Sequence, residues 1–250
     1  MKSEIYLDKV SLQLPIYGIS SQSFKNRLMS FNSGNLSNDI DGVVVIQALK
    51  NISFSLESGD SLGLIGINGS GKSTLLRVLA GIYAPNSGVI SVTGKTVPLL
   101  DIGLGLDEQL TGRQNIRLRG LLIGMSDQEI RRKTSDIVKF AELENYIDLP
   151  LRTYSTGMRV RLTFAISTAI DADIILLDEV LGVGDAAFQE KAKSRLKDLH
   201  ARAQIIVHAI HDERTILESC NKVLWMEHGK VKNFGATDLV MREYRAALGL

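Results

Sequence analysis

Apolar positions along the chain fall into short strand-like runs early and longer helix-like runs later. Ile5 to Leu14 alternates and predicts a strand broken at Pro15. Val43 to Ile46 and Ile52 to Leu56 read as further strands, and Gly59 turns the chain. Ser61 to Ile65 is a short apolar strand running straight into glycines. Helical periodicity covers Lys72 to Ala80, with Gly81 as a stop, then Thr111 to Leu149, Gly157 to Ile170, Phe188 to Leu199 and Asp238 to Leu248. Between them lie strands at Val89 to Val92, Val97 to Leu100, Ile174 to Leu177, Ile205 to Ile210 and Lys222 to Met226. Strands alternating with helices in the second half argue for a mostly parallel core sheet, and the early strands read as antiparallel. The stretch from Ser20 to Asn38 is rich in Ser and Asn. Within it Phe24, Leu28 and Phe31 stand at helical spacing beside Lys25 and Arg27. That stripe either packs on its own domain or meets a membrane subunit or lipid surface.

Composition narrows the class. Hydrophobic residues make up 44% and charged residues 23% of 250, an ordinary globular balance. Lys plus Arg is 29 against 28 for Asp plus Glu, so no basic excess points to nucleic acid. Cys220 is the single cysteine, which excludes an internal disulfide. No run of about 18 apolar residues exists to span a bilayer. Met1 to Val10 carries Lys2, Glu4, Asp8 and Lys9 and no export signal.

Gly66-Ile67-Asn68-Gly69-Ser70-Gly71-Lys72-Ser73 matches G-x4-G-K-[ST], followed by Thr74, after an apolar strand and before a helix. Glycines let successive backbone N–H groups point at phosphate oxygens without Cβ clashes, and the helix dipole faces the anion. Lys72 would reach the β- and γ-phosphates, and the Ser73 hydroxyl would ligate Mg²⁺. Ile174-Ile175-Leu176-Leu177-Asp178-Glu179 has the form of a Walker B segment about 100 residues later. Asp178 would hold Mg²⁺, and Glu179 would polarise the attacking water. The candidate ATP contacts are therefore Gly66, Asn68, Gly69, Ser70, Gly71, Lys72, Ser73 and Thr74.

Tyr154-Ser155-Thr156-Gly157-Met158-Arg159 precedes a helix and the acidic pair. Here the chain resembles the nucleotide-binding domains of ATP-binding cassette (ABC) proteins, whose signature is usually L-S-G-G-Q; Thr156 and Met158 depart from it. The resemblance implies an α/β P-loop ATPase over residues 1–250. It divides into a core with an antiparallel β part (about 1–100 and 170–236), a helical subdomain (104–169) and a final helix (237–250). It also implies that Ser155 and Gly157 contact the γ-phosphate held by a second copy. Asp185, in Gly182-Val183-Gly184-Asp185, then acts across the same dimer. The family's switch histidine follows a strand. His208 and His211 both qualify; the nine-residue spacing to Cys220 selects His211, although Ile210 replaces the usual small hydroxyl residue before it. Tyr17 is the candidate for stacking on adenine, or else an ordinary turn tyrosine. The Q-loop glutamine has no match: Gln109 and Gln114 stand too late, and Asp101 is the remaining candidate.

Leu100 to Leu106 and Leu110-Thr111-Gly112-Arg113-Gln114-Asn115-Ile116 resemble the L-E-L-G-x-G-F and L-T-G-x-E-N-I runs of cassettes that export bacterial surface polysaccharides, O-antigen and teichoic acid exporters among them. That resemblance implies a homodimer on the cytoplasmic face of the inner membrane, bound to a multi-span permease subunit. Its only link to the polyprenyl-diphosphate-linked glycan would be indirect. With Leu250 soon after the last helix, no carbohydrate-binding domain is expected, and so no recognition of the glycan chain end. The alternatives are an importer cassette and a non-transport cassette.

Overall fold

The computed structural model describes residues 2–16, 36–38, 44–100, 105–178, 186–210 and 212–249, with backbone alone at 16, 36–38, 44, 186 and 187. The elements in chain order are β1 (Glu4–Ile16), β2 (Leu36–Asn38), β3 (Val44–Glu57), β4 (Ser61–Ile65), α1 (Lys72–Leu79), β5 (Ser87–Thr93) and β6 (Thr96–Leu99). There follow α2 (Gly112–Leu122), α3 (Asp127–Ala141), a 3-10 turn at Leu151–Thr153, α4 (Thr156–Ser167), β7 (Ile174–Leu177) and α5 (Ala186–Arg202). The last are β8 (Ile205–Ala209), α6 (Glu213–Ser219), β9 (Lys222–Glu227), β10 (Lys230–Ala236) and α7 (Thr237–Leu248). The chain divides into two compact units. The first is Met1–Thr96, Leu176–Glu179 and Gln204–Leu250; the second is Val97–Ile175 and Val180–Ala203.

The first unit holds two sheets. One is antiparallel, in the order β2-β3-β1-β5. Along β1 the buried positions are Ile5 and Leu7, then Val10 and Leu12, so their parity flips once. Lys9 sits at the flip with φ 50, and the register with β3 shifts there. β3 flips in the same place, between Leu49 and Ile52, at Asn51 with φ 51. The opposed irregularities keep both apolar faces inward. β1 continues through Pro15, which pairs with Val45, where the pattern predicted a break. Its pairing with β5 ends at Ser11, so the missing N–H costs no ladder bond on that side.

The second sheet of this unit runs β10-β9-β4-β8, with the carboxyl end of β7 beyond β8. β4 is parallel to both β8 and β9, and its Leu62, Gly63, Leu64 and Ile65 are all buried. A central parallel strand covered on both faces has to read as continuous apolar sequence. β9 returns antiparallel as β10 through His228 and Gly229, both at positive φ (49° and 73°).

The helical unit packs α2, α3 and α4 around Ile116, Ile130, Ile137, Leu162 and Phe164. Phe140, Phe164 and Phe188 form a ring cluster with centroids 5.5–5.9 Å apart. Periodicity from Thr111 to Leu149 predicted one helical stretch, but the chain turns at Gly124 (φ 88). It restarts with a capping box in which Ser126 and Glu129 satisfy each other's backbone N–H groups. Among the described residues no helix is long and apolar enough to cross a membrane.

Candidate phosphate-binding site

The site begins where β4 ends. Gly66 leaves the sheet at φ 140, and a Cβ there would lie 2.2 Å from the Met226 carbonyl oxygen. Only glycine fits. Gly71, at φ 108, directly precedes α1, whose N-terminus no side chain caps. The first N–H groups of α1 are thus left for an anion, with the helix dipole behind them. Lys72 is 7% exposed and donates through Nζ to the carbonyls of Gly66 (2.7 Å) and Ile67 (3.2 Å). Its charge is held at the mouth of the loop, where it would meet the outer phosphates.

Outside groups brace this loop. The Gly229 N–H donates to the Ser70 carbonyl (2.9 Å), and the Lys50 N–H donates to the Gly229 carbonyl (2.7 Å). The β9–β10 turn therefore ties the loop to β3. The Ser70 hydroxyl is buried and has no hydrogen-bond partner among the described residues.

A cleft of about 510 Å³ opens over the loop. Residues 68–74 form its floor, Asp178 stands on one side, and Leu14, Ile46, Gln47 and Ala48 supply a wall from β1 and β3. The structure thus brings Asn68, Gly69, Ser70, Gly71, Lys72, Ser73, Thr74 and Asp178 together. Ser73 and Asp178 offer two hard oxygen donors on one cleft. That fits Mg²⁺, which takes few protein ligands and completes its shell with phosphate and water. The wall residues were missed in the sequence, because only strand pairing places Leu14 and Ile46 beside the loop.

Ser155 is the N-cap of α4, its hydroxyl accepting from the Met158 N–H at 3.2 Å. α4 carries no acidic residue in its first turn, so its N-terminus also suits an anion. A Cβ on Gly157 would find its nearest atom 4.0 Å away. His208 is a half-buried residue within β8, in register with Gly63. The two glutamines set aside for the Q-loop have other work. Gln114 closes a capping box with Thr111, and the Gln109 side chain accepts from Arg152. Tyr17, Asp101, Glu179, Asp185, His211 and the Phe24/Leu28/Phe31 stripe lie outside the described residues.

A family model described as ABC transporter matches residues 49–182. The chain belongs to the ABC transporter family. It is a transport-coupled ATPase of that family, with its phosphate cradle on the first unit. It is 44% identical over 230 residues to the O-antigen export system ATP-binding protein RfbE of Yersinia enterocolitica, covering 92% of this chain and 96% of that one. It is 40% identical over 206 residues to the O-antigen export system ATP-binding protein RfbB of Myxococcus xanthus, covering 82% of this chain but 47% of that one. The teichoic acids export ATP-binding protein TagH of Lactococcus lactis is 38% identical over 239 residues, and the chain spans 49% of its length. In fold it is similar to an ATP-binding subunit of an ABC transporter (TM-score 0.69, 20% identity, 96% of this chain and 92% of that one). It is also similar to the ATP-binding cassette MJ0796 in a dimeric post-hydrolysis state bound to ADP and Pi (TM-score 0.66, 22% identity, 93% of this chain and 98% of that one).

Proposed function

We propose that the chain hydrolyses ATP to drive export of a lipid-linked surface polysaccharide, of the O-antigen kind, through a separate membrane subunit. The observation that carries the export reading is the 44% identity to an O-antigen export ATP-binding protein across nearly the whole of both chains. The cradle supports the chemistry. Backbone N–H groups of residues 69–72 and the Lys72 ammonium hold the β- and γ-phosphates. Ser73 and Asp178 hold Mg²⁺, which when bound neutralises charge on the phosphate oxygens. Glu179 orients the attacking water and takes its proton, and His211 senses the γ-phosphate. Tyr17 stacks on adenine.

Two copies complete two sites. Ser155 and Gly157 at the start of α4, with Asp185, meet the γ-phosphate held by the other copy. The homodimer sits on the cytoplasmic face of the inner membrane against a multi-span permease. It touches the polyprenyl-diphosphate-linked glycan only through that permease, and nucleic acid plays no part.

The test is Glu179→Gln in the native cell, with lipid-linked glycan measured inside and polysaccharide measured at the surface. Accumulation inside with loss at the surface is expected. Unchanged surface glycan would overturn the export reading and favour an importer or a cassette with a different export substrate.

A further inference from the structure

The run Leu110 to Ile116 singled out by sequence has no direct place in ATP chemistry, yet its Asn115 binds the backbone through both ends of its side-chain amide. Asn115 is fully buried. Its Oδ1 accepts from the Asp107 N–H at 2.8 Å, and its Nδ2 faces the carbonyls of Asp107 (2.9 Å), Leu110 (3.2 Å) and Thr111 (3.0 Å). Both ends of the amide are spent on one loop, residues 107–111. That loop is zipped in turn to the segment leading into the signature. Leu151 N–H donates to the Leu110 carbonyl (2.9 Å), and Arg152 N–H to the Glu108 carbonyl (3.0 Å). The Glu108 carboxylate then reaches Arg159, in the second turn of α4, at 2.5 Å. Arg159 Nε also points at the Tyr154 carbonyl, 3.4 Å away and one residue before Ser155.

We infer that Asn115 and the Glu108–Arg159 pair are positioning residues that set where Ser155 and the start of α4 stand, and hence how well they meet the phosphate of a second copy. This rests on the reading that Ser155 acts across a dimer. The geometry separates positioning from folding. Ser155 caps α4 by itself, so the helix forms without the pair. The Glu108 side chain is 60% exposed, so the pair adds little to overall stability. Its influence falls on the turn between Tyr154 and Arg159, where a shift of about 1 Å is costly to a transition-state contact.

The experiment uses the full chain, with Glu108→Arg, Arg159→Glu and the double exchange. ATP-induced dimerisation is followed in the Glu179→Gln background, and turnover in the parent. Each single change should lower kcat and weaken ATP-induced dimerisation, both by about tenfold. Binding of a fluorescent ATP analogue to the monomer, and the thermal midpoint, should hold. The exchange should restore most of the loss. Asn115→Ala should act in the same direction with a lower thermal midpoint as well. Single variants with parental kcat, or losses that follow the melting point and are not restored by the exchange, would overturn the inference. Ser155→Ala, run alongside, separates the two layers. If it weakens dimerisation while the pair variants do not, the positioning role alone falls; if it too dimerises like the parent, the cross-dimer reading falls with it.

Discussion

The phosphate loop and the signature turn each lead into a helix N-terminus, and they are built by opposite means. The loop is backbone-built. Gly66 has no room for a Cβ, α1 has no side-chain cap, and the bracing contacts are main-chain bonds from Gly229. The signature turn leans on side chains, beside the main-chain bonds that Leu151 and Arg152 donate ahead of it. Ser155 caps α4, Gly157 has open space around it, and Glu108, Arg152 and Arg159 hold the turn through their side chains. A backbone-built site dictates residue type almost absolutely, whereas a side-chain-built one leaves slack. Thr156 and Met158 can therefore stand where the usual signature has glycine and glutamine; Thr156 is exposed and Met158 half-exposed.

The largest contrast should come from adding one methyl group to each. Gly66→Ala places a carbon 2.2 Å from the Met226 carbonyl at a φ that alanine avoids, and should cost a few kcal/mol and abolish ATP binding. Gly157→Ala meets nothing closer than 4.0 Å and should leave the thermal midpoint nearly unchanged. Thermal melts of the pair check this, and equal midpoints would break the comparison. Lys72→Ala comes next. It removes the cation from the loop and should lower kcat/KM for ATP by about 100-fold or more while the chain stays folded, as read from steady-state turnover and circular dichroism.

Legibility followed the same division. The phosphate loop could be read from the chain because its glycines answer to backbone geometry, at Gly66 one that no other residue satisfies. The wall of its cleft could not, since Leu14 and Ile46 become neighbours of the loop only through the pairing of β1 with β3. The opposed irregularities at Lys9 and Asn51 were written as parity flips in the buried positions, a signal hidden by reading β3 as two strands. The break between α2 and α3 was carried by Ser126 and Glu129 rather than by hydrophobic period. β10 and α6 escaped because one is a half-exposed outer strand and the other has seven residues held at its start by the Asp212 cap. The signature emerged from resemblance. Ser155 alone reads as a helix cap, and a cap is what its hydroxyl forms here.

Cap and phosphate contact can be pulled apart at Ser155. Ser155→Ala loses the bond to the Met158 N–H and should cost about 1 kcal/mol of stability along with turnover. Ser155→Asp keeps a good cap and places a negative charge where the γ-phosphate of the other copy should arrive. It should melt like the parent yet fail to dimerise with ATP in the Glu179→Gln background. If Ser155→Asp dimerised normally by sedimentation, the turn would be a cap and nothing more.

The smallest expected effect concerns pH and the helical unit alone. His200, near the end of α5, has a buried Nε2 without a hydrogen-bond partner among the described residues, and burial pushes its pKa below the ordinary 6.5. The folded chain therefore holds His200 neutral at a pH where the unfolded chain would protonate it. Between the two pKa values the unfolded state binds more protons, so stability rises with pH there. The contribution is complete above about 6.5 and is lost as pH falls towards the folded value. Protection of α5 amides, measured as the exchange rate relative to the intrinsic rate at each pH, should fall between pH 7 and pH 5, and His200→Leu should flatten that dependence. Exchange from the backbone-bonded phosphate loop should not respond to the substitution. Equal responses in the two regions would mean that the side-chain-built unit is no more sensitive to charge than the backbone-built one.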